Sequence, residues 1–261
     1  MNLRTWLLVF AVALLGLQAR AASPGVGVVV LHGKGGAPTK HVAELAAALE
    51  QHGYLVRNLD MPWSARREYD SAVRVAEDEV EAALADMRSQ GARRVFVAGH
   101  SQGGLFALYF GGRHPVDGIV AIAPGGDVAG PTVRSKLAGA VQQARELLAN
   151  GQGQAPVRLN DYEGAKGLYP VTVSPVVYLS WFEPDGAMNE TLAVRSVPPA
   201  TPVLFIAPTR DYPGLLRVKQ TLFEQLAKHP LTKLYEPDAS HLAAPSASIL
   251  EIEAWIDAAA Q

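Results

Sequence analysis

No cysteine occurs among the 261 residues. That absence excludes disulfide staples and a lipid anchor attached through a thiol, and a core of this size does not need staples. Charge is sparse: charged residues make up 18% and the formal net charge is −2. So weak an imbalance argues against a nucleic-acid partner or an anionic membrane surface. No internal repeat, metal-ligand cluster or phosphate loop is present. No apolar run reaches the roughly 20 residues needed to span a bilayer. With 49% apolar residues the composition is neither disordered nor coiled-coil.

The first residues, MNLRTWLLVFAVALLGLQARAAS, stand apart. Arg4 gives a short positive region, Trp6 to Leu17 an unbroken apolar stretch, and Ala19-Arg20-Ala21 a small-x-small site. This is the pattern of a secretory signal peptide over residues 1–21, with an uncleaved anchor as the alternative. Its removal takes away Arg4 and Arg20 but no acid, leaving a formal charge of −4. The expected product is a periplasmic or secreted protein with no stable membrane association.

From Gly25 onward, apolar runs alternate with amphipathic segments. Strands are expected at 26–31, 54–59, 95–98, 119–123, 203–207 and 233–235. Helices are expected at 41–52, 70–90, 102–113, 133–149, about 215–229, and ending near Ala259. The alternation implies right-handed crossovers and a mainly parallel sheet flanked by helices, in one α/β domain over 22–261. Residues 125–200 break the pattern and are rich in Gly, Pro and aromatics. Ligands of such sheets bind beyond the carboxyl ends of the strands, so chemistry is expected in those loops.

Three such loops carry candidate residues. Ser101 lies in Gly99-His100-Ser101-Gln102-Gly103, between an expected strand and an expected helix. A hydroxyl on so tight a turn projects above the sheet at the positive end of the helix, and glycine is needed on both sides. The plainer reading is a helix-capping serine. A hydroxyl needs a base to become a nucleophile. Of seven histidines, His41, His52, His114 and His229 fall on or beside helices and are expected at the surface. The ring of His100 should turn away from Ser101. His241 follows the last expected strand and is the natural base. Asp211, just past the preceding strand, is the natural acidic partner; Asp127 and Asp238 are the alternatives. The order Ser101, Asp211, His241 is that of a triad on this kind of sheet. Backbone N–H groups of Gln102 and Lys34 are the expected oxyanion donors, the latter from the loop His32-Gly33-Lys34-Gly35-Gly36. A flexible surface loop is the alternative reading of that segment; the spacing and the missing Ser/Thr after Lys34 count against a phosphate loop.

Together these residues resemble the α/β-hydrolase family from about Gly25 to Trp255: the His32-Gly33 loop, the GHSQG elbow, Asp211 and His241. Pro208 and Ser240 stand where the family often has glycine, and the antiparallel strands that usually open the fold are not evident. Residues 125–200 sit where the family often inserts a cap. Tyr162, Leu168, Tyr169, Tyr178, Trp181, Phe182 and Met188 from that region either line an acyl pocket or form the cap's own core. Trp63 either walls the pocket or packs. Trp63, Tyr169 and Trp181 are taken as the substrate-contacting candidates. The resemblance implies acyl-transfer chemistry through an acyl-enzyme, with no metal or organic cofactor. The expectation is an exported carboxylic ester hydrolase acting on a small molecule. Thioesterase, lipase, amidase and a non-catalytic binder are the rivals, and no oligomeric state is implied.

Overall fold

The structure, a computed structural model, describes residues 25–164 and 166–261. The leader expected over residues 1–21 therefore lies outside the described residues. Chain order opens with β1 (Val26–Leu31), α1 (Ala43–Gln51), β2 (Leu55–Leu59), α2 (Val73–Ser89), β3 (Arg94–His100), α3 (Gln102–Gly111) and β4 (Gly118–Ile122). An insertion follows: α4 (Pro131–Ala149), β5 (Val157–Glu163), β6 (Gly167–Val173), α5 (Pro175–Phe182) and α6 (Glu190–Ser196). The chain ends with β7 (Val203–Ile206), α7 (Pro213–Glu224), β8 (Lys233–Tyr235), α8 (Ala244–Ala247) and α9 (Ile249–Ala259).

Six strands form one sheet in the order β2-β1-β3-β4-β7-β8, and every pairing in it is parallel. Alternate residues of each strand feed opposite cores. Val29, Leu31, Val97, Ile119 and Phe205 face the layer of α2 and α3. Val28, Val30, Phe96, Val120 and Leu204 face α1 and α9. Strands covered on both faces need apolar residues at consecutive positions, which is why β1 reads VGVVVL and is buried throughout. Helix α2 buries Val73, Ala76, Val80, Leu84 and Met87 on one stripe, and α1 buries Leu45, Ala46 and Leu49.

The elements match the sequence expectation to within a few residues, except in two places. Helix α7 stops at Glu224 rather than near His229. Pro230 keeps His229 itself out of helical geometry. The insertion holds more structure than the one expected helix: β5 and β6 form an antiparallel hairpin outside the main sheet. Helix α4 packs on α5, and α6 packs on α3, so the insertion sits over the elbow helix. Among the described residues no helix is long and apolar enough to cross a membrane.

Candidate active site

Strand β3 delivers the chain directly into α3, and Ser101 makes the turn with φ 56 and ψ −119. That conformation costs a non-glycine residue on the order of 1–3 kcal/mol and survives only where its surroundings over-determine it. They do so here. Its N–H donates to the Ile122 carbonyl at 2.9 Å, and its carbonyl accepts from Leu105 at 3.0 Å and Gly125 at 3.2 Å. The flanking glycines are required by contact. A Cβ on Gly99 would collide with the Gly103 carbonyl, and one on Gly103 would lie 2.6 Å from the carbonyl oxygens of Leu31 and His32.

The loops after β7 and β8 are held together as a continuation of the sheet. Thr209 N–H donates to Pro237 O at 2.9 Å and Arg210 N–H to Ala239 O at 3.1 Å, with a parallel bridge between Arg210 and Ser240. This zipper brings the next residue of each loop side by side. His241 Nδ1–H donates to Asp211 Oδ1 at 2.7 Å, and Ser101 Oγ–H donates to His241 Nε2 at 3.0 Å. Asp211 Oδ1 also accepts the Tyr212 N–H at 2.6 Å. Asp211 and His241 are both buried, which strengthens each bond by excluding water. The imidazole is thus aligned to take the serine proton, with a carboxylate behind it to stabilise the cation.

Expected alternatives sit elsewhere. Asp127 accepts the N–H groups of Ala129 (3.0 Å) and Glu190 (3.2 Å), and burial raises its pKa. Asp238 is exposed and pairs with Arg210 at 2.9 Å. His100 lies against His241 instead of Ser101: its Nε2 bonds the His241 carbonyl. His52 and His114 are not the surface residues expected; each is largely covered and pairs with acids, Glu253 and Asp257 for His52, Glu77 and Glu81 for His114.

The loop after β1 passes close to the serine: a Cβ on Gly33 would lie 3.1 Å from the Ser101 Cβ. Among the described residues the N–H groups of Lys34 and Gln102 have no backbone partner, whereas Gly35 donates to Trp63 O and Gly36 to Gly33 O. His32, buried and held below its ordinary pKa by desolvation, fastens the neighbouring loop by accepting the Met61 N–H at 3.0 Å. A cavity of about 800 Å³ opens beside Ser101, Gln102 and His241, with Tyr162, Tyr212 and Leu242 in its wall.

The structure corrects the three substrate-contact candidates. Trp63, Trp181 and Tyr169 are absent from the cavity wall. Trp63 is 1% exposed, edge-on to Trp181 at 5.5 Å, and donates through Nε1 to the His32 carbonyl. Trp181 is 1% exposed and donates to Ser71 O at 2.8 Å. The indole N–H of each needs a buried acceptor, and the acceptors lie inward. Tyr169 turns its hydroxyl to Asp161 at 2.6 Å. Of the cap aromatics, Tyr162 reaches the cavity, while Tyr178 and Phe182 stack as cap core. Tyr212 and Leu242 were not anticipated. Their only signal is that each directly follows Asp211 or His241.

The alpha/beta hydrolase family model matches residues 28–252. Comparison with curated proteins gave no match. Several solved structures share the fold. A monoacylglycerol lipase from Paleococcus ferrophilus superposes with TM-score 0.61 at 19% identity, over 89% of this chain and 94% of that one. Est1E from Butyrivibrio proteoclasticus, with ferulic acid bound, gives 0.60 at 14% identity over 91% and 90%. The alpha/beta hydrolase GrgF from Penicillium sp. sh18 gives 0.67 at 17% identity over 90% of each chain. With its parallel sheet, serine elbow and matching family model, this chain belongs to the alpha/beta hydrolase family.

Proposed function

We propose that the protein is an exported serine hydrolase that cleaves small carboxylic esters. The observation that carries this reading is the hydrogen-bonded chain Ser101–His241–Asp211, whose Ser101 and His241 stand in the wall of the 800 Å³ cavity. In it, Ser101 Oγ attacks the ester carbonyl carbon while His241 Nε2 takes its proton. The tetrahedral oxyanion is held by the N–H groups of Gln102 and Lys34. The carbon–oxygen bond to the alcohol then breaks, and the imidazolium returns the proton to the departing oxygen. Water deprotonated by His241 attacks the acyl-enzyme and releases the acid. The likeness to a monoacylglycerol lipase and to Est1E supports esters as the substrate class. Export rests on the leader pattern of residues 1–21.

The test is direct. The wild-type protein should hydrolyse nitrophenyl esters and take up a fluorophosphonate label on Ser101. Ser101→Ala should lose the label and at least ~10⁴-fold in kcat while keeping its thermal transition. Full activity in Ser101→Ala would overturn the assignment, and a folded wild-type protein that takes no label would favour a binder. A chain-length series of esters beside matched thioesters and amides separates the remaining acyl chemistries.

A further inference from the structure

Lys34 and Gln102 are paired in the proposed reaction by their backbone N–H groups. Their side chains converge as well. Lys34 Nζ donates to Asp161 Oδ1 at 2.8 Å, to Asp161 Oδ2 at 2.9 Å, and to the Tyr162 carbonyl at 3.2 Å, which uses its three protons. Gln102 Oε1 lies 3.3 Å from the Tyr69 hydroxyl, and that hydroxyl lies 3.3 Å from Asp161 Oδ2, so its one proton is shared between them. Asp161 stands on β5 of the insertion, is 0% exposed, and also accepts Tyr169 Oη–H at 2.6 Å and the Tyr162 N–H at 2.6 Å.

A buried ion pair of this kind is costly to desolvate, and its retention is not explained by stability alone. What it does supply is a rigid peg. The loop Gly33-Lys34-Gly35-Gly36 has little backbone preference of its own, because glycine favours no single conformation. Lys34 N–H has no backbone partner among the described residues; its peptide is held at the Gly33 carbonyl by Gly36 N–H at 3.0 Å and His32 Nδ1 at 2.8 Å, and the bonded Lys34 side chain anchors the same residue from its other side. Tyr69 is itself held at φ 62, and burial followed by the charge of Asp161 keeps its phenol protonated as a donor.

We infer that Asp161, a residue of the inserted hairpin, is a positioning residue that steadies the oxyanion loop through Lys34, while Tyr69 ties the Gln102 side chain to the same carboxylate. This rests on the serine hydrolase reading above. Asp161 touches no reacting atom. It steadies where the Lys34 donor stands, and a misplacement of about 1 Å in such a donor lowers rate by up to ~10²-fold.

The experiment compares wild-type, Asp161→Asn, Lys34→Met and the double variant. It reads kcat and KM on a nitrophenyl ester, the Ki of a trifluoromethyl ketone whose adduct carries the oxyanion, and the thermal transition. The expected result is a kcat lowered about 10- to 100-fold in each single variant, with KM within about twofold. The ketone should weaken by the same factor as kcat. The double variant should be no slower than Asp161→Asn, because both changes cut one connection. Unchanged kcat and Ki with a lower transition temperature would overturn the inference, as would a rise in KM alone or additive losses. Should Asp161→Asn fail to fold, Lys34→Met carries the same readouts. A wild-type protein with neither hydrolysis nor label sinks the hydrolase reading itself, whereas an active wild-type with indifferent variants sinks only the role of Asp161.

Discussion

The Nε2–H of His100 donates to the main-chain carbonyl of His241 across 2.9 Å, so one histidine props the backbone of the other. Burial, followed by the neighbouring His241, holds the pKa of His100 down to about 3. His32 is held below its ordinary value by burial too. The sign follows from proton counting. Below pH 6.5 the unfolded chain protonates these rings while the folded chain does not, so stability is full above 6.5 and falls as pH drops toward 3. His100→Gln keeps a donor near the same place without titrating. Urea unfolding between pH 6.5 and 4.5 should then lose about 1.4 kcal/mol per pH unit of its slope relative to wild-type. An unchanged slope would show that His100 is not held neutral.

Glu190 behaves in the opposite sense. It is buried, its Oε1 has no hydrogen-bond partner, and desolvation followed by the charge of Asp127 raises its pKa well above 4.5. The folded chain therefore keeps a proton that the unfolded chain releases, and stability declines as pH rises through 4.5. Glu190→Gln removes that linkage. Its melting temperature should exceed wild-type by several degrees at pH 8 and by little at pH 4.5, read by calorimetry. An equal shift at both values would refute the assignment.

Two glycines should respond oppositely to alanine. A methyl on Gly103 meets the carbonyl oxygens of Leu31 and His32 at 2.6 Å, which forces the serine elbow apart. Gly103→Ala should abolish hydrolysis and lower the melting temperature sharply. Gly139 lies on the exposed face of α4, where a Cβ finds nothing within 4 Å. Gly139→Ala should stabilise by about 0.5–1 kcal/mol without changing kcat. Loss of stability there would mean that the helix face is covered.

The parallel sheet was legible because its strands are buried on both faces and so are written as short apolar runs such as VGVVVL. Ser101, Asp211 and His241 were legible because each follows such a run, and the structure does bring the three together. The secondary structure within residues 125–200, beyond its one expected helix, was not. Helix α5 reads PVVYLSWF, apolar almost all round, so it carries no helical stripe to detect. The hairpin β5–β6 mixes polar residues into both strands because only one side is covered. Sequence could identify Trp63 and Trp181 as large and apolar, but not on which side of the wall they stand. Asp161 was wholly hidden: its partner Lys34 is 127 residues away.

The insertion falls between β4 and β7, ahead of both Asp211 and His241, with His241 140 residues beyond Ser101. A chain emerging from the ribosome therefore displays its serine long before it owns a base. In the proposed reaction Ser101 gains its base only once the loop after β8 has folded beside it. In an unfolded chain Ser101 has no base beside it and is an ordinary alcohol.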